Sequence, residues 1–156
     1  MTQEGFDAIQ AEIDRLWSEE RPIVVAEVSA AAELGDRSEN AAYIYGKKRL
    51  RHIDSRIRYL RKKIDGVTPV RLADMIDFPK VRFGARVTIE DEDGNERIYR
   101  LVDKDESDPK RGRISVQSPV GRALSGKEVG DVVEVKLGER RVEYEIIDLA
   151  YGAGEP

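Results

Sequence analysis

The 156-residue chain has no cysteine and a single histidine. Disulfides, thiolate metal sites and a cysteine nucleophile are therefore excluded. One histidine cannot build a His-rich zinc site or a His–carboxylate network of any size. No apolar run approaches the ~18–20 residues of a membrane span, and the first residues carry no signal-peptide pattern. The expectation is a soluble, cytoplasmic protein with no membrane contact. A basic excess is missing too: 27 Lys and Arg stand against 31 Asp and Glu, a net charge of −4. Coating duplex DNA needs a basic footprint, so that class is also excluded. The length suits one domain or two small ones, at ~100–200 residues per domain.

What is present is charge that has been sorted along the chain. Residues 1–35 carry a net −6, residues 36–66 a net +6 and residues 67–156 a net −4. Such asymmetry marks a surface for an anion or a nucleic acid. Its centre is the run Lys47, Lys48, Arg49, Arg51, Arg56, Arg58, Arg61, Lys62 and Lys63, broken by one acid, Asp54. Exposed helices ordinarily mix signs to gain i,i+4 pairs. This skew therefore points to an electrostatic role, most simply with a nucleic-acid backbone. A merely solvated face is the plainer alternative, since Lys and Arg are good helix formers.

The first half reads as helix. Phe6, Ile9, Ile13 and Leu16 step by three and four. Pro22 should kink the helix or sit in the first turn of a restart. Apolar residues resume at Ile23, Val24, Val28, Ala31 and Leu34, and Gly35 ends the run. Tyr43, Gly46, Leu50, Ile53, Ile57, Leu60 and Ile64 then form a strict a/d heptad seam, stopped by Gly66 and Pro69. Two long helices with so short a connection pack antiparallel. Thirty helical residues rise ~45 Å, so the loop end projects as an arm. Trp17 reads as a packing anchor and His52 as a surface or structural residue.

From about Val81 the period changes to two. Strands are expected at 85–89 and 97–102 around the turn Asp91-Glu-Asp-Gly94, at 113–117, and at 132–137 and 141–146 around Gly138. Residues 119–124 suit a short helix. The expected fold is α+β: a coiled-coil arm at 1–66, a linker at 67–80, a small antiparallel β domain with one short helix at 81–151, and a frayed tail at 152–156.

The arm's tip is Gly35-Asp-Arg-Ser-Glu-Asn40. Two readings compete for Asp36 and Glu39. With Asp36 as N-cap and Glu39 three residues on, they form a near match to a capping box. Alternatively, two carboxylates at a projecting tip suit a hard cation such as Mg²⁺. Two are too few for the six oxygens Mg²⁺ wants, so a partner would have to complete the site.

The stretch Leu34-Gly-Asp-Arg-Ser-Glu-Asn-Ala-Ala-Tyr43, followed by Lys47-Lys-Arg-Leu-Arg51, resembles the bacterial Gre family of transcript-cleavage factors. Ile114-Ser-Val-Gln-Ser-Pro119, then Arg122-Ala-Leu124, Gly126-Lys127 and Gly130-Asp131, is similar to that family's second signature. The resemblance implies an FKBP-like second domain that docks at the rim of the RNA polymerase secondary channel, with the coiled coil passing down it. It implies that Asp36 and Glu39 help to hold a Mg²⁺ ion shared with polymerase, which activates water to cut backtracked nascent RNA near its 3′ end. The factor is then no enzyme by itself and takes no small-molecule substrate. Ser118 and Pro119 match the loop used against the polymerase rim, although Gln117 stands where some members carry an acid. The basic stripe corresponds to a patch that guides the RNA, and a large patch goes with the GreB branch. Alternatives are a channel-binding regulator without cleavage, a peptidyl-prolyl isomerase, and a plain coiled-coil scaffold. An intact Asp36 and Glu39 argue against the first and third. The few aromatics of the sheet half argue against an apolar proline pocket.

Overall fold

Residues stepping by three and four build the helices, and alternating residues build the sheet. The computed structural model describes residues 1–35 and 39–156. In chain order the elements are α1 (Gln3–Arg15), a π-helical turn (Leu16–Glu20), α2 (Arg21–Glu33), α3 (Ala41–Ile64), β1 (Arg86–Asp91), β2 (Glu96–Val102), β3 (Arg113–Ser115), α4 (Pro119–Leu124), β4 (Val132–Leu137) and β5 (Arg140–Ala150). They fall into two units: Phe6–Val67, and Met1–Gly5 together with Thr68–Pro156. No described helix is long and apolar enough to cross a membrane.

In the helical unit, α3 runs antiparallel to the first segment. Arg21 meets Asp54, Val28 meets Gly46 and Ala31 meets Asn40, so the numbers rise on one side and fall on the other. Ile53, Ile57 and Leu60 are buried against Ile13, Leu16 and Val24, with Leu50 and Ile64 packed beside them. Each such side chain contributes ~1.5–3 kcal/mol when fully buried. Gly46 leaves no room for a side chain on this seam: a Cβ there would lie 2.7 Å from Val28 Cγ2.

Pro22 has no N–H for the carbonyl four residues back, and its ring crowds that carbonyl. The chain widens just before it. The Arg21 N–H reaches back five residues to Leu16 O, and Pro22 takes the first turn of α2. This absorbs one residue. The face of Ile9, Ile13 and Leu16 would continue by sevens to residue 23, yet Val24, Val28 and Ala31 occupy the seam. Ile23 is turned out, 59% exposed, and Leu34 lies beyond the end of α2, 82% exposed.

In the other unit the strand order is β3-β2-β1-β5-β4. The β1–β2 hairpin closes through the Asp91 carboxylate, which accepts from the Asp93 and Asn95 N–H groups at 3.0 and 2.9 Å. β5 pairs antiparallel with both β1 and β4, with a register shift between Thr88 and Ile89. The expected all-antiparallel sheet is corrected at one edge, because β3 runs parallel to β2. Parallel neighbours need a crossover. Here two 3₁₀ turns, Lys104–Glu106 and Pro109–Arg111, supply it. Val87, Ile89, Leu101, Leu124, Val135 and Ile146 form the heart of the core. α4 lies close enough that a Cβ on Gly121 would fall 2.1 Å from Ser115 O.

Residues 67–80 hold a parallel bridge between Val70 and Thr2, and a 3₁₀ turn at Leu72–Asp74. The tail makes contacts with the sheet unit. The guanidinium of Arg100, 2% exposed, donates to Gly84 O and to Gly154 O. Glu155 pairs with Arg111 and Arg113 at 3.1 and 3.3 Å. A buried guanidinium must find acceptors for its donors, and Gly84 and the tail each supply one.

Candidate functional site

The tip is framed by one side chain. Asn40 caps α3: its Oδ1 accepts from the Tyr43 N–H at 3.1 Å. Its Nδ2 donates to Ala31 O at 2.6 Å, reaching a carbonyl of the last turn of α2. One amide thus satisfies unpaired groups at the end of one helix and the start of the next. The capping-box reading of Asp36 and Glu39 is therefore corrected. α3 starts at Ala41, so Glu39 lies outside the helix and is not its third residue. Asp36 lies outside the described residues. Glu39 is exposed and makes no ion pair with a described residue. Asn40 was missed as a site residue. Its signal was the N-cap preference of Asn directly before a periodic apolar run.

Among the described residues no group of three His, Asp or Glu side chains could hold a metal ion. Carboxylate oxygens are the right donors for Mg²⁺. Glu39 and Asp36 would supply part of its shell and no more.

The basic stripe divides into two flanks of α3. Tyr45, Arg49, His52, Arg56 and Tyr59 follow one side of the seam, and Lys47, Arg51, Asp54, Arg58 and Arg61 the other, each stepping by four and three. On the first flank Arg49 pairs with Glu27 at 3.0 Å and Arg56 with Glu12 at 2.8 Å. The Arg56 hydrogen bond holds the Glu12 carboxyl below the usual carboxylate range. Arg49 and Arg56 also lie over the rings of Tyr45 and Tyr59. A shallow cavity of about 300 Å³ opens on this flank, lined by Glu20, Tyr45, Lys48, Arg49, His52 and Ile53. On the second flank Asp54 is matched by Arg21 at 2.9 Å. Lys47, Arg51, Arg58 and Arg61 are exposed and make no ion pair with a described residue, as is true of Lys48 and Lys62 on the outer face. Lys63 is half-buried. Towards the far end Asp14 and Asp65 line a surface cavity with Arg61 and Lys62, which closes the cationic stretch.

Residues 1–68 match the family model described as "Transcription elongation factor, N-terminal", and residues 77–151 match "Transcription elongation factor, GreA/GreB, C-term". The chain belongs to the GreA/GreB family of transcription elongation factors. It is 49% identical over 151 residues to the transcription elongation factor GreB of Yersinia pestis, covering 97% of this chain and 88% of that one. It is 47% identical over 153 residues to GreB of Pseudomonas aeruginosa, covering 97% and 89%. Among solved structures, one titled as the transcription factor Gfh1 is 21% identical with a TM-score of 0.43, over 96% of this chain and 95% of that one. The curated names make this a GreB-like member.

The family's second signature lies around the start of α4. Ser118 caps this helix: its Oγ accepts from the Gly121 N–H at 3.0 Å and donates to Ser115 O at 2.6 Å. Pro119 follows in the first turn and is exposed, as is Gln117. The serine hydroxyl is thus engaged within the chain, and the outward surface of this turn belongs to its neighbours.

Proposed function

We propose that this GreA/GreB member acts on RNA polymerase as a transcript-cleavage factor. Its hairpin enters the secondary channel as a coiled coil, and its tip stimulates Mg²⁺-dependent cleavage of backtracked nascent RNA. The observation that carries this reading is Glu39. Asn40 performs the capping, so the Glu39 carboxylate stands exposed without a helical duty. Asp36 and Glu39 would hold one side of a Mg²⁺ ion, and polymerase the other. That ion supplies Lewis-acid activation of water for attack on a phosphodiester. The chain's own part is to deliver two carboxylates on a stiff arm. Asn40 orients them by joining both helix ends. Lys47, Arg51, Arg58 and Arg61 attract the phosphates of the displaced RNA 3′ end.

The second unit is read as an FKBP-like docking domain. Ser118 and Pro119 are read as meeting the channel rim, with the Ser118 hydroxyl holding the turn that presents Pro119. The chain is then no enzyme without polymerase.

The test is a backtracked elongation complex with labelled RNA and Mg²⁺. Wild-type chain should shorten the transcript. Asp36→Ala and Glu39→Ala should each reduce cleavage by at least about 100-fold, the scale of losing a metal-supporting group, with polymerase binding nearly intact. Normal cleavage by both variants would reject the reading.

A further inference from the structure

Trp17 reads in sequence as a packing anchor, yet it is 52% exposed. It stands at the edge of the first segment that faces the second flank of α3. Arg21 lies over its ring at 5.2 Å and Arg61, from α3, at 5.6 Å. An indole left half in water forgoes much of the burial that makes tryptophan valuable in a core. At Tyr45 and Tyr59 the arginine is held by Glu27 or Glu12, and at Trp17 Arg21 is held in the same way by Asp54, but Arg61 is not. Arg61 makes no ion pair with a described residue, and Arg58 and Lys62 beside it are likewise exposed.

We propose that Trp17 is a base-stacking platform for single-stranded RNA drawn along this flank. An aromatic face among unpaired cations is the combination that binds single strands: the cations track the phosphates and the ring takes a base. Guanidinium planes also stack on bases, so Arg21 and Arg61 extend the platform instead of blocking it. The site would accept any base, with purines held best. This rests on the proposed meeting of the hairpin with RNA. It adds that the RNA is gripped through a base towards the end of the hairpin away from its tip, as well as through phosphates.

The chain contains one tryptophan, so its emission reports this position alone. The full chain is titrated at low salt with an oligoadenylate, an oligouridylate and an abasic ribose-phosphate chain of equal length, with binding followed independently by anisotropy of the labelled oligomer. The expected result is saturable quenching, stronger with oligoadenylate than with oligouridylate and slight with the abasic chain. Trp17→Ala should weaken oligoadenylate binding roughly 5- to 100-fold and leave abasic binding unchanged. Trp17→Phe should recover part of the loss, and circular dichroism should show both variants folded. Trp17→Ala binding oligoadenylate as tightly as wild type overturns the platform. If the double variant Arg58→Glu, Arg61→Glu then abolishes binding, the RNA reading of the flank survives without stacking. If that variant also changes nothing, or no RNA is bound at all, both readings fail.

Discussion

On one flank of α3, Arg49 and Arg56 meet Glu27 and Glu12 across the hairpin. On the other, Arg51, Arg58 and Arg61 make no ion pair with any described residue. The two rows share their spacing, and both carry arginines. They differ in what the first segment sets opposite them: Glu12 and Glu27 along one edge, Trp17 and Arg21 along the other. The first row spends its charge on holding the helices together. The second leaves its charge for an incoming anion. A count of bases on a helix therefore overstates its nucleic-acid surface, because each base has to be discounted by the acid that faces it.

The comparison can be broken at its common foundation. Ile57→Ala removes a seam residue on which both flanks stand and should cost ~2–5 kcal/mol in urea or thermal unfolding. A cost below ~1 kcal/mol would show that the seam does not carry the hairpin. Next in size, Arg51→Glu, Arg58→Glu and Arg61→Glu together should weaken RNA binding roughly a hundredfold at low salt and flatten its salt dependence by ~0.7 per lost phosphate contact. Arg49→Glu with Arg56→Glu should leave the salt slope nearly unchanged, and equal slopes in the two variants would erase the distinction. Asn40→Asp keeps the acceptor for Tyr43 and loses the donor to Ala31. It should cost ~0.5–1.5 kcal/mol and impair cleavage with unchanged polymerase binding. Cleavage equal to wild type would remove Asn40 from the tip's machinery.

The smallest effect belongs to the paired flank. Glu12 has a lowered pKa in the folded chain, first through its hydrogen bond from Arg56. Its stabilising share is present above the ordinary carboxylate value, about 4.3, and is lost as pH falls through the folded value. Glu12→Gln should cost under ~1 kcal/mol at pH 7 and reduce the loss of stability between about pH 5 and pH 3. Identical acid slopes in variant and wild type would contradict this.

The α3 seam was legible because a strict alternation of three and four admits one helix face. The tip was not. Asp36 and Asn40 are both good N-caps, and the choice depends on a carbonyl, Ala31 O, that belongs to another helix. The flanks were half legible: spacing shows which bases share a row, but their partners come from a segment far off in sequence. The direction of β3 was hidden because a strand has period two whichever way it runs. Arg100 was hidden by the general rule that arginines lie outside, and it carries the tail inward with it. Trp17 was misjudged because size alone suggested burial. The two Gre signatures made the family recognisable before any of these details, since they depend on residues in order and not on contacts.

The widened turn at Leu16–Glu20 bears on how the hairpin tolerates change. The apolar faces of α1 and α2 are out of phase by one residue, about 100° of rotation on a regular helix, and the turn reconciles them. Pro22 stands beside this shift but does not create the need for it. Replacing Pro22 with alanine should therefore leave the turn in place. Deleting one of its exposed residues would let a regular helix run through with both apolar faces still on α3, whereas inserting a further residue would turn α1 by about another 100° and take its apolar face off the seam. The turn is thus a one-residue surplus taken up in the backbone, and the arm's two halves stay in step because it is wound out there.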